Sequence, residues 1–170
     1  VFFGTDGSAD RALGYLPTSN QVGGFGVVLT NTSNDTYAAL DVSFIGEQWR
    51  VGGAGVLNTL VFRYGFGSTL TDANALFTPL DFNAPNTAGG EVALDGNNPV
   101  NQSLRSGLIS GLNWAPGQSL VLRWDNPDLS GQDNGLAIDN LSLTGVVPAP
   151  GALALIGVAG LISIRRRRGA

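Results

Sequence analysis

Five short segments of this chain alternate apolar and polar residues, and each is cut off by glycine, asparagine or proline before a helix could complete many turns. They are FGVVLT (25–30), LDVSFI (40–45), LVFRYGF (60–66), SLVLRW (119–124) and LAIDNLSL (136–143). A period of two sends successive side chains to opposite faces of a strand. In SLVLRW, Leu120, Leu122 and Trp124 share one face, and Val121, Arg123 and Asp125 share the other. In LVFRYGF, Leu60, Phe62, Tyr64 and Phe66 line one face while Arg63 points away. Half-apolar strands of this kind belong to antiparallel sheets with one face on a core. The stretches between them, TNTSNDT, RVGGAG, FNAPNTAGG, LDGNNP and WAPGQ, have the composition of turns and loops. Helical periodicity is weak and confined to 71–76. The pattern predicts an all-β fold, an antiparallel two-sheet sandwich of jelly-roll type.

A chain of 170 residues has room for one sizeable core and too little for two ordinary domains plus a tail. Residues 1–145 read as a single β-sandwich domain and 146–170 as a separate closing segment, with the linker at 145–150. No internal repeat is visible. With no Met anywhere, the sequence is expected to be a fragment or processed product of a longer one.

The missing residue types exclude much chemistry. There is no Cys, so no disulfide framework and no thiol nucleophile. There is no His, which removes the usual general bases, catalytic triads and zinc sites. All 13 acidic residues lie within 1–144, faced by Arg11, Arg50, Arg63, Arg105 and Arg123 alone, which leaves this part at −8. A body so acidic repels phosphate backbones, so nucleic acid is excluded as a partner. An enzyme would have to work with carboxylates, and the chain has only two glutamates, Glu47 and Glu91. Nothing in the sequence pairs either with a second carboxylate as glycoside hydrolysis needs. Glu47, in GEQWR, reads instead as an ion-pair partner of Arg50.

Two stretches carry candidate binding residues. In WDNPDLSGQDNGLAID, Asp125, Asp128, Asp133 and Asp139 are interleaved with Asn, Ser and Gly. Calcium takes six to eight oxygens from a loop that can curl around it, and this stretch offers them as a candidate calcium site. The alternative is a hairpin in which Asp side chains cap turn amides, with Asp139 beside a bulge. Among the three tryptophans, Trp124 shares its face with Leu120 and Leu122 and belongs to the core, and Trp114 staples the following loop to the sandwich edge. Trp49 is the candidate carbohydrate platform, with core burial as its alternative.

The closing segment differs in kind. Residues 151–164 carry no charge, and Arg165, Arg166, Arg167 and Arg168 follow. As a helix the apolar run would span about 21 Å against a hydrocarbon core of about 30 Å. It reads as a short membrane span, apolar on every face, whose terminal arginines would stay on the cytoplasmic side with the body outside. The alternative is a buried core helix, which the four like charges at its end oppose.

Val147, Pro148, Ala149 and Pro150, then the Leu/Ala/Gly/Ile run, then the Arg cluster, resemble the PEP-CTERM sorting signal of bacterial exported proteins, with Ala149 where the family's tripeptide carries Glu. The resemblance implies export, a transient inner-membrane anchor, and recognition by an exosortase that acts near Pro148, Ala149 and Pro150. The body would then be released or re-anchored at the cell surface, often beside exopolysaccharide. SADRALGYL (8–16), GEQWR (46–50) and LRWDNPDLSGQDNGLAIDNLSL (122–143) resemble an ectodomain recurrent in such proteins, which implies a β-sandwich and export but no particular activity. The expectation is a non-enzymatic surface or extracellular-matrix protein, structural or adhesive in role. The alternative is a carbohydrate-binding module or carbohydrate-active enzyme of the extracellular space.

Overall fold

Alternating side chains bury one face of a strand only if a second layer covers that face. The computed structural model, which describes residues 1–18 and 23–148, supplies that layer as two antiparallel sheets packed as a sandwich. Its strands are β1 (Phe2–Phe3), β2 (Ala12–Tyr15), β3 (Gly23–Thr30), β4 (Tyr37–Val51), β5 (Thr59–Phe66), β6 (Ala75–Leu76), β7 (Phe82–Asn83), β8 (Val92–Ala93), β9 (Gln102–Trp114), β10 (Ser119–Asn126) and β11 (Gly135–Val146). The six-stranded sheet runs β1-β2-β11-β4, with β9 and β8 sharing the far edge of β4. The five-stranded sheet runs β3-β10-β5, with β6 and β7 on the far edge of β5. From β2 to β5, and again from β9 to β11, successive strands change sheets, so most pairings join distant parts of the sequence.

The inward faces meet where the alternation places them. Leu40, Val42 and Phe44 of β4, Ile109 of β9, and Leu136 and Ile138 of β11 pack against Leu60 and Phe62 of β5 and Leu120, Leu122 and Trp124 of β10. Trp124 is the centre of this layer. Its ring stacks on Phe25 at 5.9 Å and meets the edges of Phe44 and Phe62 at 5.5 and 5.1 Å. Trp114 is buried as well, and its indole Nε1 donates to the Gln118 carbonyl at 2.8 Å, pinning the turn that leads into β10. The segment from Thr78 to Ala84 adds Leu80, Phe82 and Ala84 to the core. Gly46 of β4 is required there, because the Phe82 ring occupies the space a Cβ would take.

Several sequence expectations are revised. The weak helical run at 71–76 is one 3-10 turn, Leu70–Asp72, followed by β6. Asp72 Oδ2 accepts from the backbone amides of Ser68 and Thr69 and from the Thr69 hydroxyl, a local cap that holds its pKa below the ordinary carboxylate value. Strand β9 has no counterpart among the five segments read from sequence. Its register against β4 breaks near Gly111, whose φ is +72°, so Ile109 and Leu112 both point inward despite an odd spacing. The hydrophobic helix expected after the sandwich, together with Ala149, Pro150 and the arginines at 165–168, lies outside the described residues. Among the described residues no helix is long and apolar enough to cross a membrane.

Replacing Trp124 with Ala removes the shared partner of three rings, those of Phe44 and Phe62 buried and that of Phe25 partly so. The expected cost is about 3–5 kcal/mol, read as a lower urea midpoint at unchanged slope. A shift equivalent to less than about 1 kcal/mol would show that the layer is not packed around this indole.

Candidate functional site

The four aspartates of the 125–139 stretch do not converge. Asp125 sits on the outward face of β10, where Arg123 Nε approaches Oδ1 at 2.6 Å and Arg63 Nε approaches Oδ2 at 3.1 Å. Both carboxylate oxygens are taken by guanidinium groups. Asp133 is 4 % exposed, and its Oδ1 accepts from Asn58 Nδ2 at 2.8 Å and from the Leu129 amide at 3.0 Å. Asp139 stands on β11 opposite Ile45, on the outer face of the other sheet, and Asp128 lies on the connection between β10 and β11. The reason is the sandwich itself: residues that alternate away from the core in β10 and in β11 face opposite sides of the molecule. No group of three His, Cys, Asp or Glu side chains able to hold a metal occurs among the described residues. The calcium arrangement expected over Asp125, Asp128, Asp133 and Asp139 is therefore replaced by ion pairing at Asp125 and turn capping at Asp133. The bulge anticipated beside Asp139 is present, at Asn140 with φ +52°.

What the stretch builds is a buried amide network at one end of the sandwich. Asn134 is wholly buried, and its Oδ1 accepts from Gln48 Nε2 and from the Gly52 amide, both at 2.9 Å. Its Nδ2 donates to the Val56 carbonyl at 2.9 Å and to Asn58 Oδ1 at 3.0 Å. Asn58 Oδ1 also takes the Asn134 amide, while Asn58 Nδ2 donates to Asp133 Oδ1 and the Pro127 carbonyl. Gln48 exchanges bonds with the backbone of Asn86, through Nε2 to its carbonyl and Oε1 from its amide. Asn126 Nδ2 bridges the carbonyls of Tyr15 and Asn134. Of these residues the sequence offered Asp133, with Asn126 and Asn134 interleaved in the same stretch, but as oxygen donors to a cation. Asn58, Asn86 and Gln48 carry no local signal, because an asparagine that ties strands together has the same sequence context as one that turns a loop.

A second cluster lies on the outer face of the six-stranded sheet. Trp49 is 7 % exposed, packed on Ala12 and Ala137 and stacked on Phe3 with centroids 6.2 Å apart and planes 14° from parallel. It is a covered wall and not an exposed platform, which corrects the carbohydrate expectation for this side chain. Its Nε1 donates to Glu47 Oε2 at 2.8 Å. Glu47 is 2 % exposed, and burial raises its pKa above 4.5. The indole bond opposes that shift, and the negative charges of Asp139, Asp10 and Asp95 add to it. The expected Glu47–Arg50 ion pair is absent, since residues three apart on a strand point to opposite faces. Arg50 instead donates to the Asp133 carbonyl at 2.7 Å and approaches Glu91 at 3.8 Å. Beside Trp49 a cleft of about 540 Å³ opens, lined by Phe2, Phe3, Thr5, Arg50, Leu94 and Asp95, among others.

Neither cluster matches a known arrangement by descent. No family model, no curated protein and no solved structure matches this chain. The geometry alone describes two buried polar centres: an amide network closing one end of the sandwich, and a carboxyl group sealed beneath an indole on one face.

Asn134→Ala strands the Gly52 amide and the Val56 carbonyl outright, and takes one bond each from Gln48 Nε2 and Asn58 Oδ1, which keep the Asn86 carbonyl and the residue 134 backbone amide. The expected loss is about 3 kcal/mol or more in urea unfolding, since each stranded buried group costs about 1–3 kcal/mol. Asn134→Asp should be comparably costly, because it sets an acceptor against two oxygens; losses under about 1 kcal/mol for both would refute the network's role.

Glu47 gives a prediction with a definite sign. Its folded pKa is raised, so its contribution to stability is fully present below 4.5 and is lost as pH climbs through the folded value. Glu47→Gln is therefore expected to melt higher than the parent protein at pH 7, with the gain shrinking away below about pH 4. An equal gain at both pH values in circular-dichroism melts would contradict this.

Proposed function

We propose that the chain is a non-enzymatic exported protein, structural or adhesive at the cell surface or in the extracellular matrix, delivered by a PEP-CTERM-like signal. The observation that carries this reading is where the fold stops. Strand β11 ends at Val146, paired with β2 on one side and β4 on the other, and Val147 and Pro148 continue from it exposed to solvent. The last residue of β11 packed on the core, Leu143, still lies before Pro148. An enzyme acting at Pro148, Ala149 and Pro150 would thus leave every core residue described above in the body. The body has the alternation expected of a jelly roll, β2-β11-β4-β9 facing β3-β10-β5-β6, and we assign it to that class.

On this reading the apolar run and the arginines at 165–168 hold the chain transiently in the inner membrane with the body on the outer side. An exosortase-type enzyme then processes it, and the body reaches the surface or the extracellular space beside exopolysaccharide. No reaction is assigned to the body. Asp125 and Asp133 are engaged by arginine and amide partners, and the buried Glu47 is bonded to Trp49. The alternative of a carbohydrate-binding module or carbohydrate-active enzyme loses its aromatic platform with the covering of Trp49.

In a host that carries the processing enzyme, intact-mass spectrometry of the surface-exposed protein should find a species lacking Arg165, Arg166, Arg167 and Arg168. Recovery of surface protein that retains all four would defeat the sorting assignment.

A further inference from the structure

Among the described residues, nothing is bonded to the far edge of β9, a long run of backbone. Among the described residues β9 pairs with β4 alone, in unbroken register from Ala39 opposite Ser110 to Glu47 opposite Gln102. No loop or side chain among them bonds to the backbone of this nine-residue stretch from outside the sheet. In an antiparallel strand every second residue turns its N–H and C=O away from the existing partner, so the edge offers a row of unpaired donors and acceptors. The devices that usually blunt such an edge are missing. The stretch contains no Pro and no Lys, and its one charged residue, Arg105, is drawn to the Pro79 carbonyl at 2.9 Å. The bulge near Gly111 marks where the flat part ends.

The side chains on the outward face of this edge are Gln102, Leu104, Ser106, Leu108 and Ser110, with Leu104 63 % and Leu108 51 % exposed. This sequence is close to symmetric about Ser106. An antiparallel pairing of the strand with itself keeps outward residues opposite outward residues only when the two-fold axis passes through a residue. Centred on Ser106, Leu104 of each copy faces Leu108 of the other, giving two leucine pairs on one face. Moving the centre by one residue in either direction sets both leucines against Ser or Gln.

We infer that β9 is a self-association edge, through which two copies of this chain join their six-stranded sheets antiparallel about Ser106. The contact belongs to the body and is independent of the sorting assignment. It forms backbone bonds along the nine-residue edge and covers Leu104 and Leu108, which a lone copy leaves in water.

The chain has no Cys, so single cysteines read the register directly. The test uses the full chain in detergent micelles under mild oxidation. At the two-fold centre the Cα atoms would be about 4.5–5.5 Å apart, within disulfide range, so Ser106→Cys should give a covalent dimer in high yield. Ser110→Cys places the same exposed thiol about 27 Å from its copy, and its yield should be at least tenfold lower. Adding Leu104→Lys and Leu108→Lys to the Ser106→Cys chain should remove the dimer without changing the melting curve, since both leucines are exposed. Equal yields from the two single cysteines, as crowding through the apolar tail would give, overturn the proposal. So does the absence of dimer from Ser106→Cys.

Discussion

Asn134 and its partners fix one end of the whole architecture. The side chain stands just before β11, accepts from Gln48 and Gly52 of β4 and its following turn, and donates to the segment at Val56 and Asn58 that leads into β5. Through Asn58 and Asp133 the same bonds reach the loop leaving β10, and through Asn126 they reach β2. Apolar packing holds the sheets face to face but is indifferent to sliding by one residue pair. Directional amide bonds in a dry environment are not, because a slipped register leaves buried donors and acceptors unpaired. The network therefore sets register where the leucine and phenylalanine layer sets only proximity.

The Glu47–Trp49 pair plays a different part. Glutamate is among the residues least often fully buried, and here it lies beneath an indole whose Nε1 donates to it. A neutral carboxylic acid would suit that site, and nearby Asp139, Asp10 and Asp95 press in the same direction. The arrangement places a carboxyl whose pKa burial raises on the outer face of the six-stranded sheet, while the amide network at the sandwich end contains mostly groups that do not titrate.

Strands β3, β5, β10 and the first half of β11 were legible in the sequence, because small or polar residues alternate there with the apolar ones that meet the core. The second half of β4 was not. From Gly46 to Trp49 both faces are buried, one by Phe82 and Gln48's partners and the other by Phe3, so the alternation that marks a strand is lost. Strand β9 escaped for another reason: its glycines and its bulge reverse the parity between Ile109 and Leu112. Of the site residues, the burial of Trp124 could be read from its neighbours on one strand. The amide network could not, since it joins positions up to 111 residues apart that no local pattern connects.

The position of β11 has a bearing on how such a chain comes to be folded. It is the final strand in the described sequence, yet it lies in the middle of its sheet, between β2 and β4. A polypeptide is made from its amino end, so β2 and β4 emerge with a strand-wide slot between them and wait for the last segment to fill it. Until then Leu40, Val42 and Phe44 lack Leu136 and Ile138 beside them, and Asn134 has not arrived to order the turns. The sheet is continuous only once that slot is filled, and the strand that fills it is the one that leads directly into Pro148.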